Sequence, residues 1–245
     1  MRRFHIKKEA IKGNNVFLRG NEARHITKAL RLGQNEKVIL FDNDGNEYLG
    51  VIENTRAAMV MVRIIEARPQ VNHDTCDIIL AQAVIKSDKM NFIIQKCTEL
   101  GIAKIMPFFS ARTVPKWSGT ADHKLRHWQE VVIAALKQSG IRRVPIIENL
   151  GCFTDTVRQE YSGYLKLIFW EKETRNSLKN ILRSQQPAKR VIFMVGPEGG
   201  FTDDEIQIAR ENGFITVGLG KFILRSETVP MTVLSILRYE YDSLE

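Results

Sequence analysis

Arg190-Val191-Ile192-Phe193-Met194-Val195-Gly196-Pro197-Glu198-Gly199-Gly200-Phe201-Thr202-Asp203-Asp204-Glu205 is the stretch from which the architecture can be worked out. Residues 191–195 are apolar without alternation, as in a strand buried on both faces. Gly196, Gly199 and Gly200 then leave bare backbone that a ligand can approach. Thr202 and Glu205 stand three apart at the start of the next segment, the spacing of a capping box. Strand, glycine loop and capped helix, in that order, are the parts of an α/β layer with parallel strands.

The pattern repeats outward from there. Residues 166–170 read as a strand followed by Glu171-Lys172-Glu173, and residues 214–217 as another followed by Gly218-Leu219-Gly220-Lys221 and on to Thr228. Residues 77–83 and 102–109 read as further buried strands. Residues 88–100 predict a helix stopped by Gly101. Residues 123–139 predict a long helix, with Leu125, Trp128, Val132 and Leu136 at helical spacing and Gly140 at its end. The first 70 residues read differently. Runs at 38–41 and 47–52 flank Asp42-Asn43-Asp44-Gly45, a hairpin signal, and residues 58–65 are a third β-rich run. Residues 21–30 predict a short helix capped by Asn21. Short strands with tight turns predict a small barrel, and residues 68–72 a linker.

The 245 residues carry 36 Lys+Arg against 28 Asp+Glu, a net charge of +8, and the first 72 hold 13 of the basic residues against 8 acidic ones. Such a surface concentrates polyanions. A hydrophobic share of 44 % excludes a disordered chain. No apolar run approaches the roughly 18 residues that span a bilayer, and Met1-Arg2-Arg3-Phe4-His5-Ile6-Lys7-Lys8 has no apolar stretch behind it, so a cytoplasmic protein is expected. Cys76, Cys97 and Cys152 fit neither a disulfide framework nor a metal knuckle, and His123 with His127 lacks a third ligand, so no metal is expected. The P-loop, the dinucleotide fingerprint and the nucleophile elbow are all missing. Asp203 and Asp204 disfavour a phosphate at their helix start, so the loops suit the neutral or cationic part of a ligand. Segment 112–143 is basic, with Trp117 and Trp128 interleaved, and reads either as an RNA face or as a solvated face with Trp128 in the core.

Taken together, four segments resemble the ribosomal RNA small subunit methyltransferase E family: Lys89 through Gln95-Lys96-Cys97-Thr98-Glu99-Leu100-Gly101 to Pro107; Gln138-Ser139-Gly140 to Val144-Pro145; Gly196-Pro197-Glu198-Gly199-Gly200; and Leu219-Gly220-Lys221-Phe222-Ile223-Leu224-Arg225-Ser226-Glu227-Thr228. The resemblance covers essentially the whole chain. It implies a PUA-like, RNA-binding β-barrel over residues 1–70 and a SPOUT α/β domain over 74–245 whose C-terminus forms a trefoil knot. It also implies a homodimer, no membrane, and S-adenosylmethionine-dependent methylation of N3 of a uridine in 16S rRNA of the small ribosomal subunit. Two positions depart from the family pattern: Ile141 stands where an arginine is usual, with Arg142 and Arg143 next to it, and Val229-Pro230 replaces small apolar residues after Thr228. Proline is compatible with the first turn of a helix.

On this reading the cofactor walls are Glu171, Gly196, Pro197, Glu198, Gly199, Gly200, Leu219, Gly220, Ile223, Leu224, Arg225 and Thr228. Uridine N3 carries a proton and is a poor nucleophile until it leaves, so a base or a cation must favour the imide anion. Arg225 is expected to stabilise that anion, Glu227 to act as base, and Glu198 to be the weaker candidate for that role. RNA contacts are expected at Arg3, Arg24, Arg31, Lys89, Arg112, Arg142 and Arg143, with Lys7, Lys8 and Arg19 as further phosphate partners. A SPOUT enzyme acting on tRNA or another nucleoside atom, a non-catalytic RNA-binding module and a small-molecule oxidoreductase are the alternatives.

Overall fold

The computed structural model describes residues 1–56, 59–70, 76–114, 121–184 and 188–241. Expectations fall partly outside them at Ala58 of the third β-rich run, at Val71 and Asn72 of the linker, and at the aromatic Trp117 of the basic segment. The chain divides into two compact units, residues 1–72 with 133–144, and residues 73–132 with 145–245.

The first unit is a six-stranded sheet built from β1 (Arg3–His5), β2 (Ile11–Lys12), β3 (Asn15–Arg19), β4 (Lys37–Phe41), β5 (Glu47–Arg56) and β6 (Met59–Arg68), in the order β1-β4-β5-β6-β3-β2. The hairpin read from the sequence joins β4 to β5 with Phe41 opposite Glu47. Its turn is fixed by the Asp42 carboxylate, which accepts the N–H groups of Asp44 and Asn46, both at 3.0 Å. Alternate residues Phe4, Val16, Leu18, Val38, Leu40, Ile52, Val60 and Val62 pack with Ala23 and Ile26 into one core. Those last two come from α1 (Gly20–Arg24) and the wider helical turn at His25–Ala29. Asn21 does not cap this helix. Gly20, at φ +61°, already turns the chain out of β3, so Asn21 lies inside the helix and its amide oxygen accepts a bond from Arg24.

In the second unit the elements alternate: β7 (Asp77–Ala83), α2 (Ser87–Glu99), β8 (Lys104–Phe109), α3 (Ala121–Ser139), β9 (Ile146–Ile147), β10 (Gly151–Cys152), α4 (Phe153–Arg158), β11 (Leu165–Phe169), α5 (Leu178–Ser184), β12 (Arg190–Val195), α6 (Asp203–Glu211), β13 (Ile215–Val217) and α7 (Val229–Tyr241). The strands run parallel in the order β10-β8-β7-β12-β11-β13, with β9 on β8. Ile79, Ala81, Ile192, Met194 and Ile168 pack with Phe153 and Val157 of α4 and Ile206 and Ala209 of α6. Their alternates Ile78, Leu80, Val191, Phe193 and Leu167 are equally buried, so both faces are covered and the strands are apolar throughout. Pro230 sits in the first turn of α7 and is buried, as its fixed φ permits. The buried Arg238 near the end of α7 donates to the carbonyls of Cys76 and Gly101, tying the C-terminal helix to the start of β7 and the end of α2. Trp128, Val132 and Leu136 are buried on α3, so Trp128 belongs to the core rather than to an RNA face.

Candidate active site

Strands β11, β12 and β13 are neighbours and parallel, so the three loops that follow them emerge side by side at one edge of the sheet. They enclose a cleft of about 450 Å³, within the roughly 300–1,000 Å³ usual for small-molecule sites. Its floor is Phe169, Val195 and Val217, the last residues of the three strands, and its walls are Glu171, Gly196 to Phe201 and Gly218 to Glu227. Trp170, which the sequence places in β11, instead opens the first loop, its N–H bonded to the Val217 carbonyl at 3.1 Å.

Each loop has its shape for a local reason. The middle one turns on the Gly200 N–H to Pro197 carbonyl bond, 3.0 Å, with Gly200 at φ +67°. A Cβ at Gly200 would stand 2.8 Å from a Glu171 carboxylate oxygen, so the glycine is what lets that carboxylate lie over the loop. Thr202 and Glu205 form the capping box, and the same Glu205 carboxylate accepts the Ala111 N–H at 2.9 Å. Arg112 then donates to the Gly199 carbonyl at 2.8 Å. The loop after β8 therefore buttresses the glycine loop, a contact that no local pattern in the chain marks. The third loop is tied to the second by the Ser226 hydroxyl on the Gly196 carbonyl at 2.6 Å.

Three cations line the cleft, Lys89, Lys221 and Arg225. The Lys89 ammonium, from the first turn of α2, lies 3.1 Å from Glu227 and 3.6 Å from Glu198. Burial pushes the Glu227 carboxyl up, but its own backbone N–H, Lys89 and Arg225 outweigh that and hold it below the usual carboxylate range. Arg225 is exposed at the cleft, and its guanidinium makes no ion pair among the described residues. Its carbonyl accepts the N–H groups of Thr228 and Val229, closing the turn into α7. Thr228 is thereby drawn into the helix start and does not line the cleft, whereas every other expected cofactor residue does.

Glu173 braces the first loop. Its carboxyl is held below the usual range chiefly by the Thr216 hydroxyl, 2.7 Å away, against burial, and further by the N–H groups of Arg175 and Asn176 and by Arg210. A carboxyl lowered in the folded state stabilises it above the unfolded value and loses that contribution as pH falls through the folded one. Glu173→Gln is therefore expected to lower the urea midpoint at pH 7, the gap to the parent protein closing once pH falls below the ordinary glutamate value of about 4.3. A gap that persists unchanged at pH 3 would show a packing effect instead.

The expected RNA residues fare differently. Arg24 and Arg31 are exposed on the first unit, as are Lys7 and Arg19. Lys8 pairs with Asp44 at 2.9 Å. Arg3 is turned inward, paired with Glu47 and stacked over Phe41. Arg142 donates to the carbonyls of Arg68 and Pro69 and lies 3.7 Å from the same Glu47. Arg143 is half-buried, Arg112 is spent on Gly199, and Lys89 is in the cleft. Among the described residues no group of three or more metal-ligating side chains occurs, and no helix is long and apolar enough to cross a membrane. Cys76, Cys97 and Cys152 form no disulfide among the described residues, and the first two are buried.

Residues 72–238 match the family described as RNA methyltransferase domain, and residues 18–57 the one described as RNA methyltransferase PUA domain. The ribosomal RNA small subunit methyltransferase E of Mesomycoplasma hyopneumoniae is 32 % identical over 91 % of this chain and 94 % of its own length. The Bacillus subtilis protein of the same name is 28 % identical over 100 % and 98 %. Among solved structures, a ribosomal RNA small subunit methyltransferase E from Neisseria gonorrhoeae bound to S-adenosyl methionine is 32 % identical and superposes with a TM-score of 0.87 over 98 % of this chain and 97 % of that one. A methyltransferase from Legionella pneumophila in complex with the same cofactor gives 30 % identity and a TM-score of 0.87 over 97 % and 96 %.

Proposed function

The chain belongs to the RNA methyltransferase family, with the ribosomal RNA small subunit methyltransferase E proteins, and from that premise we propose that it methylates N3 of a uridine in 16S rRNA of the small ribosomal subunit. The observation that carries this reading is the convergence of three strand-end loops and Arg225 on one cleft. S-adenosylmethionine is the family's methyl donor. The cleft suits it. Glycines 196, 199, 200, 218 and 220 keep side chains out, apolar Phe169, Val195 and Leu219 can wall an aromatic base, and Glu171 meets positive charge. The backbone at 196–200 and 219–224, with Glu171, would hold the cofactor, which when bound supplies a methyl group already activated on a sulfonium.

The chain's own residues then act on the uracil. Arg225, which makes no ion pair among the described residues, stabilises the imide anion and so makes the N3 proton more acidic. With that help a weak base is enough, and Glu227, kept ionised, receives the N3 proton. Glu198 shares its cation Lys89 and helps hold it in place. Residues 1–70 are read as a PUA-like barrel whose exposed Lys7, Arg19, Arg24 and Arg31 hold phosphates, and 74–245 as the methyltransferase domain. A C-terminal trefoil knot is favoured by the course of the last segment: β13 lies beyond β11, the following loop returns to Gly196, and α7 packs on α2. A homodimer is favoured by Phe92 on α2 and Ile236 and Tyr239 on α7, which stay exposed, and a cytoplasmic location goes with a ribosomal RNA substrate.

The test is incubation with methyl-labelled donor and small-subunit rRNA or particles from a strain lacking the modification, followed by nucleoside mass spectrometry. The expected product is 3-methyluridine at one position. Transfer to tRNA alone, or to another atom of the base, would overturn the reading.

A further inference from the structure

We propose that Lys89 is a positioning residue for methyl transfer: its ammonium clamps the loop after β12 to the loop after β13 through Glu198 and Glu227. This rests on the methyltransferase reading above. The two carboxylates come from two different loops that line one cleft, and Lys89 reaches both from a third element, α2, at 3.6 and 3.1 Å. The three side chains are 15–31 % exposed, so the interaction is only partly screened. Without the ammonium, two carboxylates would face each other across a gap that the Ser226–Gly196 hydrogen bond also spans. Separation of the loops would carry Arg225 with it, because Arg225 lies two residues from Glu227 in the same turn.

The competing role is a phosphate contact on RNA. A lysine already paired with two carboxylates has its charge taken up by them, which makes it a poor phosphate contact. The two roles separate experimentally. A phosphate contact affects RNA affinity and its salt dependence, whereas a clamp affects cofactor affinity.

Binding of S-adenosylmethionine to the full chain by calorimetry, RNA binding across a salt series and the thermal midpoint are the readouts. Lys89→Met is expected to weaken cofactor binding about tenfold, an exposed-pair discount on the loss of one member of a buried ion pair. Its RNA salt slope stays unchanged, and Lys89→Arg restores cofactor affinity to within about threefold, since the charge and reach are kept. Lys89→Met/Glu227→Gln regains most of the affinity, because the repulsion goes with the second charge. This double variant also decides the matter if Lys89→Met does not fold. Parent-like cofactor affinity in Lys89→Met with a salt slope reduced by about one would overturn the clamp in favour of a phosphate contact. So would a double variant that binds no better than Lys89→Met. A parent protein that binds no S-adenosylmethionine sinks both this proposal and the methyltransferase reading. One that binds it but modifies another atom sinks only the uridine assignment.

Discussion

Arg225→Ala is expected to reduce methyl transfer to rRNA by about 100- to 1,000-fold, the range for removing one pre-placed stabiliser of a developing anion, while the dissociation constant for S-adenosylmethionine changes less than about threefold. The separation of the two effects follows from how the residue is used. Its carbonyl holds the turn into α7 by accepting Thr228 and Val229, and alanine keeps that carbonyl in place. Only the guanidinium is lost, and among the described residues it makes no ion pair whose breakage would disturb the loop. Arg225→Lys keeps the charge but not the planar fork, so an intermediate rate is expected. The rate difference should also shrink as pH rises, because uridine N3 then loses its proton without help. Single-turnover transfer measured from pH 6 to pH 9, beside calorimetry of the same variants, checks this. Equal loss of cofactor affinity and rate would make Arg225 a cofactor ligand rather than a stabiliser of the imide anion.

How much of this was legible beforehand depends on the range of the interaction. The strand at 190–195, the capping box at Thr202 and Glu205, and the helix stop at Gly101, φ +75°, are set by neighbours within a few residues, and the sequence carries them openly. The three loops could be placed at the carboxyl ends of parallel strands because the alternation of strand and helix forces that geometry. What stayed hidden is the pairing of charges across long separations. Lys89 and Glu227 are 138 residues apart, and nothing local marks either as the other's partner. Arg3 and Arg142 look like RNA-facing cations in sequence, yet both turn to Glu47, which is buried and needs them. Arg112 likewise looked free until the loop after β8 was seen against the Gly199 carbonyl. Composition reports how many cations a chain has, and only the fold reports which ones are already spent.

The same distinction between local and distant constraint makes Gly218 the most sensitive point of the cleft wall. Its N–H donates to the Asn176 carbonyl at 2.8 Å, and it forms an isolated parallel bridge with Ser177, so the third loop is laid against the first at this residue. A Cβ here would overlap the Glu173 carbonyl oxygen, which is backbone and cannot rotate away. Gly218→Ala must therefore separate the loops after β11 and β13, at about 1–3 kcal/mol for inserting a methyl group into packed structure. Cofactor affinity is expected to fall at least about 30-fold, because both loops line the site and a displacement of an ångström is felt by every contact made across it. Gly220→Ala is the control. Gly220 has φ +100° but nothing within 4 Å of a Cβ, so that change strains the backbone without moving a neighbour. Its thermal midpoint should fall while cofactor affinity drops far less than in Gly218→Ala. Calorimetry and thermal unfolding of the two variants side by side make the comparison. If Gly218→Ala bound the cofactor as the parent does, the two loops could not be the rigid walls on which the proposed chemistry depends.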